Sequence, residues 1–268
     1  MRKTLTLLTA LALLLGGVGA AAEGEIIVFA AASLTETLTA IADSYMAAHP
    51  DVRVTCNFDS SGTLKTQIQE GAACDVFISA AQKQMNQLDI AAAPEVNTEG
   101  LDIVDGDTRV DLLENKVTLA VPEGNPKGIE SFDQVAGLLK DGEILLAIGN
   151  SDVPVGQYTQ KIFEFYGIDE AAVSGKLTYG SNVKEVTTQV AEQSVDCGII
   201  YGTDAFSAKL AVVDEATEAM CGGRVIYPAA ALKAAPNPEA ARDFLDYLQT
   251  AECAEVFASV GFTPLSAR

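Results

Sequence analysis

Residues 28–38 read VFAAASLTETL, in which an apolar strand runs through alanines into a helical pattern. Ser33 and Glu36 have the spacing of a capping box, which predicts that the helix begins at Ser33. Small side chains before a helix start leave room for an anion beside the free backbone N–H groups of the first turn. The stretch therefore predicts a strand-to-helix turn with space for a negatively charged ligand.

Apolar strands alternate with helical patterns along most of the chain. The run from Ile26 precedes a helix that we expect over 33–48, and the next strands are expected over 52–58 and from Asp75. Such alternation is typical of parallel α/β architecture. Each of these strands ends near a small or hydroxyl residue, at the edge where open α/β sheets bind ligands.

The order of these segments predicts two lobes. The tract over 91–106 is rich in Ala, Pro, Asn, Gly and Asp, and KVTLAVPEGNP from Lys116 then supplies a strand and a Pro/Gly stop. A later extended run, RVIYPAAAL from Arg224, returns the chain to the first unit. We expect a mostly parallel sheet flanked by helices in each lobe and a ligand cleft between the lobes. The predicted boundaries are a signal peptide over 1–22, lobe 1 over 23–114 and 225–268, and lobe 2 over 115–224.

The first residues have the features of a secretory signal peptide, namely Arg2 and Lys3, an apolar run over 5–15 and small residues over 20–22. The apolar run is too short to span a membrane comfortably, which argues against an anchor. No cysteine lies near the cleavage region, so no lipid-anchor signal is predicted. We expect a protein that is secreted across the cytoplasmic membrane and soluble in the periplasm or cell envelope after cleavage.

The chain carries a formal net charge of −20, and removing the two positive charges of Arg2 and Lys3 leaves −22. Because phosphate binding needs a basic face, nucleic acid is not an expected partner. On a secreted protein, an acidic balance mostly serves solubility.

Cysteine and histidine usage limits the chemistry that the chain can perform. An odd number of cysteines without C-x-x-C spacing allows at most two disulfides, whose pairing stays open. His49 is the only histidine and stands at an expected helix end, which disfavours a zinc site and leaves no Ser/His/Asp triad. Carboxylate pairs remain open among the many acids, but we expect no enzyme, no cofactor and no metal bonded directly to the protein. The cysteines are Cys56, Cys74, Cys197, Cys221 and Cys253.

Four predicted helix starts carry hydroxyl, proline or amide residues in their first turns. They are Ser33 and the segments 60–63, 153–156 and 182–185. Most helices need a cap, so each start alone indicates only an ordinary helix. Where such starts converge at the carboxyl edges of two facing sheets, their N–H groups and hydroxyls bind an oxyanion without lysine or arginine.

Five segments follow one another over nearly the whole mature chain. They are FAAASLTETL from Phe29, DSSGTLKTQIQEGAACDVFISA from Asp59, VPVGQYT from Val153, SNVKEVTTQVAEQSVDCGIIYGTDA from Ser181 and VGFTP from Val260. Together and in this order they resemble the periplasmic molybdate-binding proteins of ABC transporters. The resemblance implies a two-lobed type II periplasmic-binding-protein fold whose lobes close on a molybdate or tungstate ion. It also implies delivery to the membrane permease of an ABC transporter, and we expect the protein to be a monomer.

The resemblance further implies a ligand set of serine hydroxyls, backbone amides and one tyrosine hydroxyl. Matched motif by motif, the predicted ligands are Ser33, Ser61, Val155, Val183 and Tyr201. Their hydroxyls and amides offer about seven donors, which suits an anion that is fully deprotonated at neutral pH. Sulfate has the same charge and would have to be excluded by its smaller size. A binding protein for sulfate or another tetrahedral oxyanion stays open as an alternative, and a secreted enzyme is a remoter one.

Three positions depart from the pattern of the resembled family. Val155 stands where alanine is usual, Gly62 where serine is frequent, and Asp59 where a small residue is frequent. An acid beside a dianion is unfavourable, so we expect the Asp59 carboxylate to point away or to cap a helix. Gln157 and Lys184 lie near the predicted ligands, and we interpret both as solvated helix positions.

Overall fold

The computed structural model describes residues 24–266, so the predicted signal peptide over 1–22 lies outside the described part of the chain. The strands in chain order are β1 Gly24–Ala31, β2 Val52–Asp59, β3 Val76–Ile78, β4 Val110–Asn115, β5 Val117–Val121, β6 Leu146–Gly149, β7 Leu177–Gly180, β8 Cys197–Tyr201, β9 Ala211–Glu215, β10 Val225–Ala231 and β11 Thr263–Pro264. The α-helices are α1 Thr35–Ala48, α2 Ser61–Gln69, α3 Gln82–Asn86, α4 Phe132–Lys140, α5 Pro154–Tyr166, α6 Glu170–Val173, α7 Val183–Ala191, α8 Gly202–Ala208, α9 Glu218–Cys221, α10 Pro238–Leu248 and α11 Ala251–Ala258. Short 3-10 turns lie at Ala32–Leu34, Gly106–Thr108 and Ser174–Lys176.

The strands form two separate sheets. The first has the order β11-β4-β10-β3-β1-β2, and the second has the order β7-β6-β8-β5-β9. We use lobe 1 for the first sheet with its helices and lobe 2 for the second. The chain passes from lobe 1 to lobe 2 between β4 and β5 and returns between β9 and β10. The predicted two-lobed α/β architecture is therefore confirmed.

Both sheets are mixed, which differs from the expectation of mostly parallel strands. In lobe 1, β1 pairs in parallel with β2 and β3, whereas β10 lies antiparallel to β3 and β4, and β11 is antiparallel to β4. In lobe 2, β6 pairs in parallel with β7 and β8, whereas β5 lies antiparallel to β8 and β9. Parallel pairing follows from a helical crossover within one sheet. Because β5 and β10 enter from the other lobe, no crossover fixes their direction.

Burial explains why these segments form strands and helices. The strands β5, β8 and β10 are buried along their whole length, as in sheets covered on both faces. The helices are amphipathic, and α10 buries Ala241, Phe244 and Leu248 at helical spacing. Within residues 24–266, no helix combines the length and the apolarity needed to cross a bilayer.

His49 and the cysteines, which limited the chemistry expected from the sequence, can be located in the structure. His49 is exposed and ends α1, where its Nδ1 lies 2.9 Å from the carbonyl oxygen of Tyr45. All five cysteines are free thiols, and four of them are buried. Burial raises the pKa of the Cys197 thiol to about 12, so it stays protonated at neutral pH.

The parallel strands of each lobe direct their carboxyl ends into one cleft. Because parallel strands share a carboxyl edge, the turns after β1, β2 and β3 lie side by side in lobe 1. The turns after β6, β7 and β8 do the same in lobe 2. Every predicted ligand belongs to one of these turns or to the last residue of β8.

Candidate functional site

A small cavity lies where the carboxyl edges of the two sheets meet. All five predicted ligands, Ser33, Ser61, Val155, Val183 and Tyr201, line it. Lobe 1 and lobe 2 each contribute one wall, so the cavity belongs to the cleft between them. The remaining lining residues are Ala31, Ala32, Ser60, Ala80, Val153 and Pro154.

The alanines of the opening stretch keep the cavity open beside the chain. Ala31 and Ala32 line it together with Ala80, whereas Ala30 is fully buried in the core of lobe 1. Since an alanine side chain ends at Cβ, these residues take up little of the space beside the 3-10 turn at Ala32–Leu34. The predicted space beside Ser33 is therefore present.

The predicted capping role of Ser33 is wrong. The α-helix begins at Thr35 after a 3-10 turn, and no side-chain hydrogen bond caps either element. The Ser33 hydroxyl instead lies 2.9 Å from the Tyr227 hydroxyl, and Ser33 is only 5% exposed. Ser33 bonds to Tyr227 instead of capping the helix because Tyr227 is fully buried and its hydroxyl needs a hydrogen bond inside the protein.

The two serines after β2 have different tasks. Ser60 is the N-cap of α2, and its Oγ accepts a hydrogen bond from the backbone N–H of Thr63 at 3.1 Å. Ser61 is fully buried, and its Oγ accepts a hydrogen bond from the backbone N–H of Ala80 at 2.9 Å. This bond does not use the Ser61 hydroxyl proton, and Ser61 lines the cavity.

The helices α2, α5 and α7 each bring their first residues to the lining of the cavity. The first N–H groups of a helix have no acceptor within that helix. Ser61, Val183 and Val155 occupy such positions, with Val155 next to Pro154 in the first turn of α5. The predicted Asn182 cap is confirmed, since its Oδ1 accepts from the N–H of Glu185 at 3.1 Å.

Tyr201 ends β8 with its side chain 1% exposed. Its hydroxyl has no hydrogen-bonding partner among residues 24–266, and Tyr201 lines the cavity. Burial raises the pKa of Tyr201 well above 10, and the neighbouring Tyr227 hydroxyl adds to the rise. The phenol therefore stays neutral at physiological pH and can donate one hydrogen bond to a ligand.

The cavity lining within the described residues contains no charged side chain. Asp59 precedes it, but the Asp59 carboxylate accepts a hydrogen bond from the backbone N–H of Ser60 at 2.7 Å. The same oxygen lies 3.5 Å from the amide nitrogen of Asn182 in lobe 2. Asp59 thus binds the N-cap residue of α2 and lies near the opposite lobe, whereas the helix itself is capped by Ser60.

A chain of charges crosses the cleft beside the cavity. Lys184 of lobe 2 donates to both carboxylate oxygens of Glu36 of lobe 1, at 2.7 and 2.8 Å. It also lies 3.2 Å from Oδ1 of Asp204, whose side chain is fully buried. Burial raises the pKa of Asp204 to about 6, and Lys184 opposes the rise. The interpretation of Lys184 as a solvated position is therefore wrong.

Two further contacts show that the lobes are closed on each other. Gln84 of lobe 1 donates to Oε1 of Gln157 in lobe 2 at 3.2 Å, so Gln157 is not simply solvated either. A Cβ atom on Gly62 would lie 2.2 Å from the backbone oxygen of Asp152 in lobe 2. Only glycine allows this approach, because a side chain would overlap a backbone atom.

Sequence reasoning missed the residues that act across long distances in the chain. Tyr227 lies within the apolar run of β10, where tyrosine is an ordinary packing residue and no local pattern indicates a role. Lys184 was visible beside Val183, but its contact with Glu36 depends on the closed arrangement of the lobes.

Comparisons with known proteins agree with this geometry. The profile of the family described as bacterial extracellular solute-binding protein matches residues 26–263. The molybdate-binding protein ModA of Escherichia coli is 34% identical over 258 residues, covering 95% of each chain. The putative ABC transporter substrate-binding lipoprotein YvgL of Bacillus subtilis is 32% identical over 236 residues, covering 87% of this chain and 84% of that protein.

A solved structure gives the same architecture. The periplasmic molybdate-binding protein of Azotobacter vinelandii superimposes with a TM-score of 0.73 at 18% identity, covering 89% of this chain and 98% of that one. At this identity the likeness concerns the fold. Together with the family match and the two relatives above 30% identity, it leads to one assignment: the chain belongs to the bacterial extracellular solute-binding proteins.

Proposed function

We propose that this protein captures molybdate, and tungstate as well, outside the cytoplasm and delivers it to the membrane permease of an ABC transporter. The observation that carries the proposal is the lining of the cavity between the lobes. It offers hydroxyl and amide donors and contains no charged side chain within the described residues. Such a lining suits a small, fully deprotonated oxyanion, which accepts hydrogen bonds at every oxygen and donates none.

In this proposal each predicted ligand has a role. Ser33 and Ser61 donate from their hydroxyls, and their backbone N–H groups donate from the first turns that follow β1 and β2. Val155 and Val183 donate backbone N–H groups from α5 and α7, so the departure from alanine at Val155 changes the wall of the cavity but not the donor. Tyr201 donates its otherwise unpartnered hydroxyl.

The energetics support tight binding without a cation. A hydrogen bond to an ionised acceptor contributes about 1.5 to 3 kcal/mol, and helix starts favour negative charge. Several such bonds in a buried cavity offset the cost of closing the lobes and of dehydrating the ion. No covalent step is needed, and we propose a binding role without catalysis.

Selectivity follows from protonation and size. Phosphate carries a proton near neutral pH and would bring an O–H group into a site of donors, where it finds no acceptor. Sulfate is fully deprotonated but smaller, so it cannot reach donors on both lobes at once. The E. coli relative's name, molybdate-binding protein, supports molybdate over sulfate as the ligand of this chain.

We also propose the boundaries and the setting of the mature protein. Residues 23–114 and 225–268 form lobe 1, and residues 115–224 form lobe 2; the strands divide between the two sheets in the same way, except that Asn115 is the last residue of β4 in the lobe 1 sheet. The protein works as a monomer in the periplasm or cell envelope after removal of residues 1–22. The name of the Bacillus subtilis relative, putative ABC transporter substrate-binding lipoprotein, supports a permease partner, and the description of the family as extracellular supports a location outside the cytoplasm.

Isothermal titration calorimetry of residues 23–268 with molybdate, tungstate, sulfate and phosphate tests the proposal. We expect one-to-one binding of the first two ions and no detectable heat from sulfate or phosphate at equal concentration. Binding of sulfate in preference to molybdate, or of none of the four ions, would reject the proposed ligand.

A further inference from the structure

A buried side chain at the passage between the lobes has a fixed orientation. Asn115 ends β4, is 4% exposed, and precedes the first residue of the crossing to lobe 2. Its Oδ1 accepts a hydrogen bond from the backbone N–H of Lys116 at 2.8 Å. Because a backbone N–H can only donate, the amide oxygen must face Lys116 and the amide nitrogen must face the opposite side.

The amide nitrogen then sets the direction of the next hydrogen bond. Asn115 Nδ2 donates to Oγ1 of Thr203 at 2.9 Å and to the hydroxyl of Tyr227 at 3.1 Å. The Tyr227 hydroxyl thus accepts a hydrogen bond from Asn115. Because Tyr227 is fully buried, its own hydroxyl proton also needs an acceptor inside the protein. The partner left for that proton is Oγ of Ser33, 2.9 Å away.

The consequence for Ser33 is that its oxygen is engaged as an acceptor. Its own proton then has no acceptor among the described residues, and Ser33 lines the cavity. The oxygen of Ser61 is likewise engaged as an acceptor, because it accepts a hydrogen bond from the backbone N–H of Ala80. A serine hydroxyl ordinarily donates or accepts as required, but these two are held as donors.

We propose that Asn115 and Tyr227 are positioning residues that hold Ser33 as a hydrogen-bond donor and thereby make the cavity reject singly protonated oxyanions. The inference rests on the proposed function and extends it to residues that do not touch the ion. A protonated oxyanion needs one acceptor in the site, and a serine free to rotate would supply it. The Asn115–Tyr227 chain removes that freedom.

The first test is Tyr227→Phe, which deletes the hydroxyl and keeps the ring that packs against Tyr201 at a centroid distance of 5.8 Å. Binding of molybdate and of arsenate, which carries one proton at pH 8, is measured by calorimetry. We expect molybdate affinity to fall about tenfold while arsenate affinity rises or is unchanged. The ratio of molybdate affinity to arsenate affinity should therefore fall at least about tenfold. Tyr45→Phe, in the aromatic cluster with Phe244, is the matched control and leaves both affinities unchanged.

A double-mutant cycle separates a positioning role from general damage. If Tyr227 acts through Ser33, Tyr227→Phe has no further effect on molybdate affinity once Ser33→Ala is present. An equal loss in both backgrounds, or unchanged discrimination in Tyr227→Phe, overturns the inference while leaving molybdate binding by the wild-type protein untouched. If Tyr227→Phe does not fold, Asn115→Ala, which removes the donor to Tyr227, provides the same test. The ratio of molybdate affinity to arsenate affinity should fall in this variant too.

Discussion

Lys184 on α7 and Glu36 on α1 form an ion pair across the cleft, with Nζ of Lys184 2.7 and 2.8 Å from the two carboxylate oxygens. The same nitrogen lies 3.2 Å from Asp204, which is buried in lobe 2. Burial lowers the pKa of Lys184, but Asp204 and Glu36 outweigh burial and raise it. The lysine therefore stays charged and joins the two lobes in the closed arrangement.

Removing this lysine should destabilise the protein in a pH-dependent way. Lys184→Met leaves Asp204 buried without its cation, so we expect the free energy of unfolding at pH 8 to fall by about 2 kcal/mol. At pH 5 the loss should be smaller, because a proton can neutralise Asp204, whose pKa of about 6 lies above that pH. Urea unfolding at the two pH values measures both effects. Lys161→Met, which breaks an exposed pair with Glu164, should change stability little at either pH.

The contribution of Asp204 to the free energy of unfolding should fall as the pH rises. Most paired acids show the opposite trend. Its pKa rises from 3.8 to about 6 on folding, so its stabilising contribution is full below pH 3.8 and is lost as the pH rises through 6. Asp204→Asn lacks this titration. The wild-type stability minus that of Asp204→Asn should decrease between pH 4 and 6 by up to about 3 kcal/mol and be constant above pH 7. A difference that does not vary with pH would show that Asp204 titrates normally.

Closure of the cleft should be sensitive to a single methyl group at Gly62. In Gly62→Ala, the new Cβ would lie 2.2 Å from the Asp152 backbone oxygen, so the lobes could not approach as closely. We expect molybdate affinity to fall at least about tenfold. Stability without ligand should stay the same or rise, since alanine favours a helix over glycine by about 0.5 to 1 kcal/mol. Gly137→Ala, in α4 with open space around its Cβ, is the control and should bind normally.

The two serines after β2 should differ in their effect on molybdate affinity. Ser61→Ala removes a donor to an ionised ligand and should weaken molybdate binding by about 1.5 to 3 kcal/mol. Ser60→Ala removes the N-cap bond to Thr63 and should instead lower the free energy of unfolding by about 1 kcal/mol. Calorimetry and thermal unfolding of both variants compare the two effects. Equal losses of affinity would contradict the division of roles.

Tyr201→Phe should move stability and affinity in opposite directions. The Tyr201 hydroxyl is buried without a partner among residues 24–266, and an unpaired buried hydroxyl costs about 1 to 3 kcal/mol. Its removal should therefore raise the melting temperature of the ligand-free protein and weaken molybdate binding. A lower melting temperature together with unchanged affinity would mean that the hydroxyl is structural.

The turns that hold the predicted ligands could be read from local features of the sequence, whereas the family resemblance indicated which residues in those turns are the ligands. Ser61, Val155 and Val183 follow strands and begin helices, and parallel strands bring such turns to one edge. The capping role of Ser33 was predicted incorrectly because the hydrogen bond of its hydroxyl does not depend on local features. Its hydroxyl is bonded to Tyr227, 194 residues away along the chain, and no local pattern contains that partner.

The mixed sheets and the contacts between the lobes could not be derived from the sequence either. Periodicity indicates that β5 and β10 are strands, but their direction depends on the path of the chain between the lobes. The contacts of Lys184 with Glu36 and of Gln84 with Gln157 exist only because the lobes are closed. Motifs define the turns around the cavity, and the tertiary arrangement decides what surrounds them.

The central claim is that a cavity of neutral donors binds fully deprotonated molybdate. Titration of residues 23–268 with molybdate at pH 8, in two buffers with different ionisation enthalpies, tests it most directly. Tyr201 is neutral and Asp204 is ionised at this pH, so neither group has to change its charge on binding. We predict one-to-one binding with the same heat in both buffers. Absence of binding, or heats that differ between the buffers because a proton is taken up or released, would contradict the account.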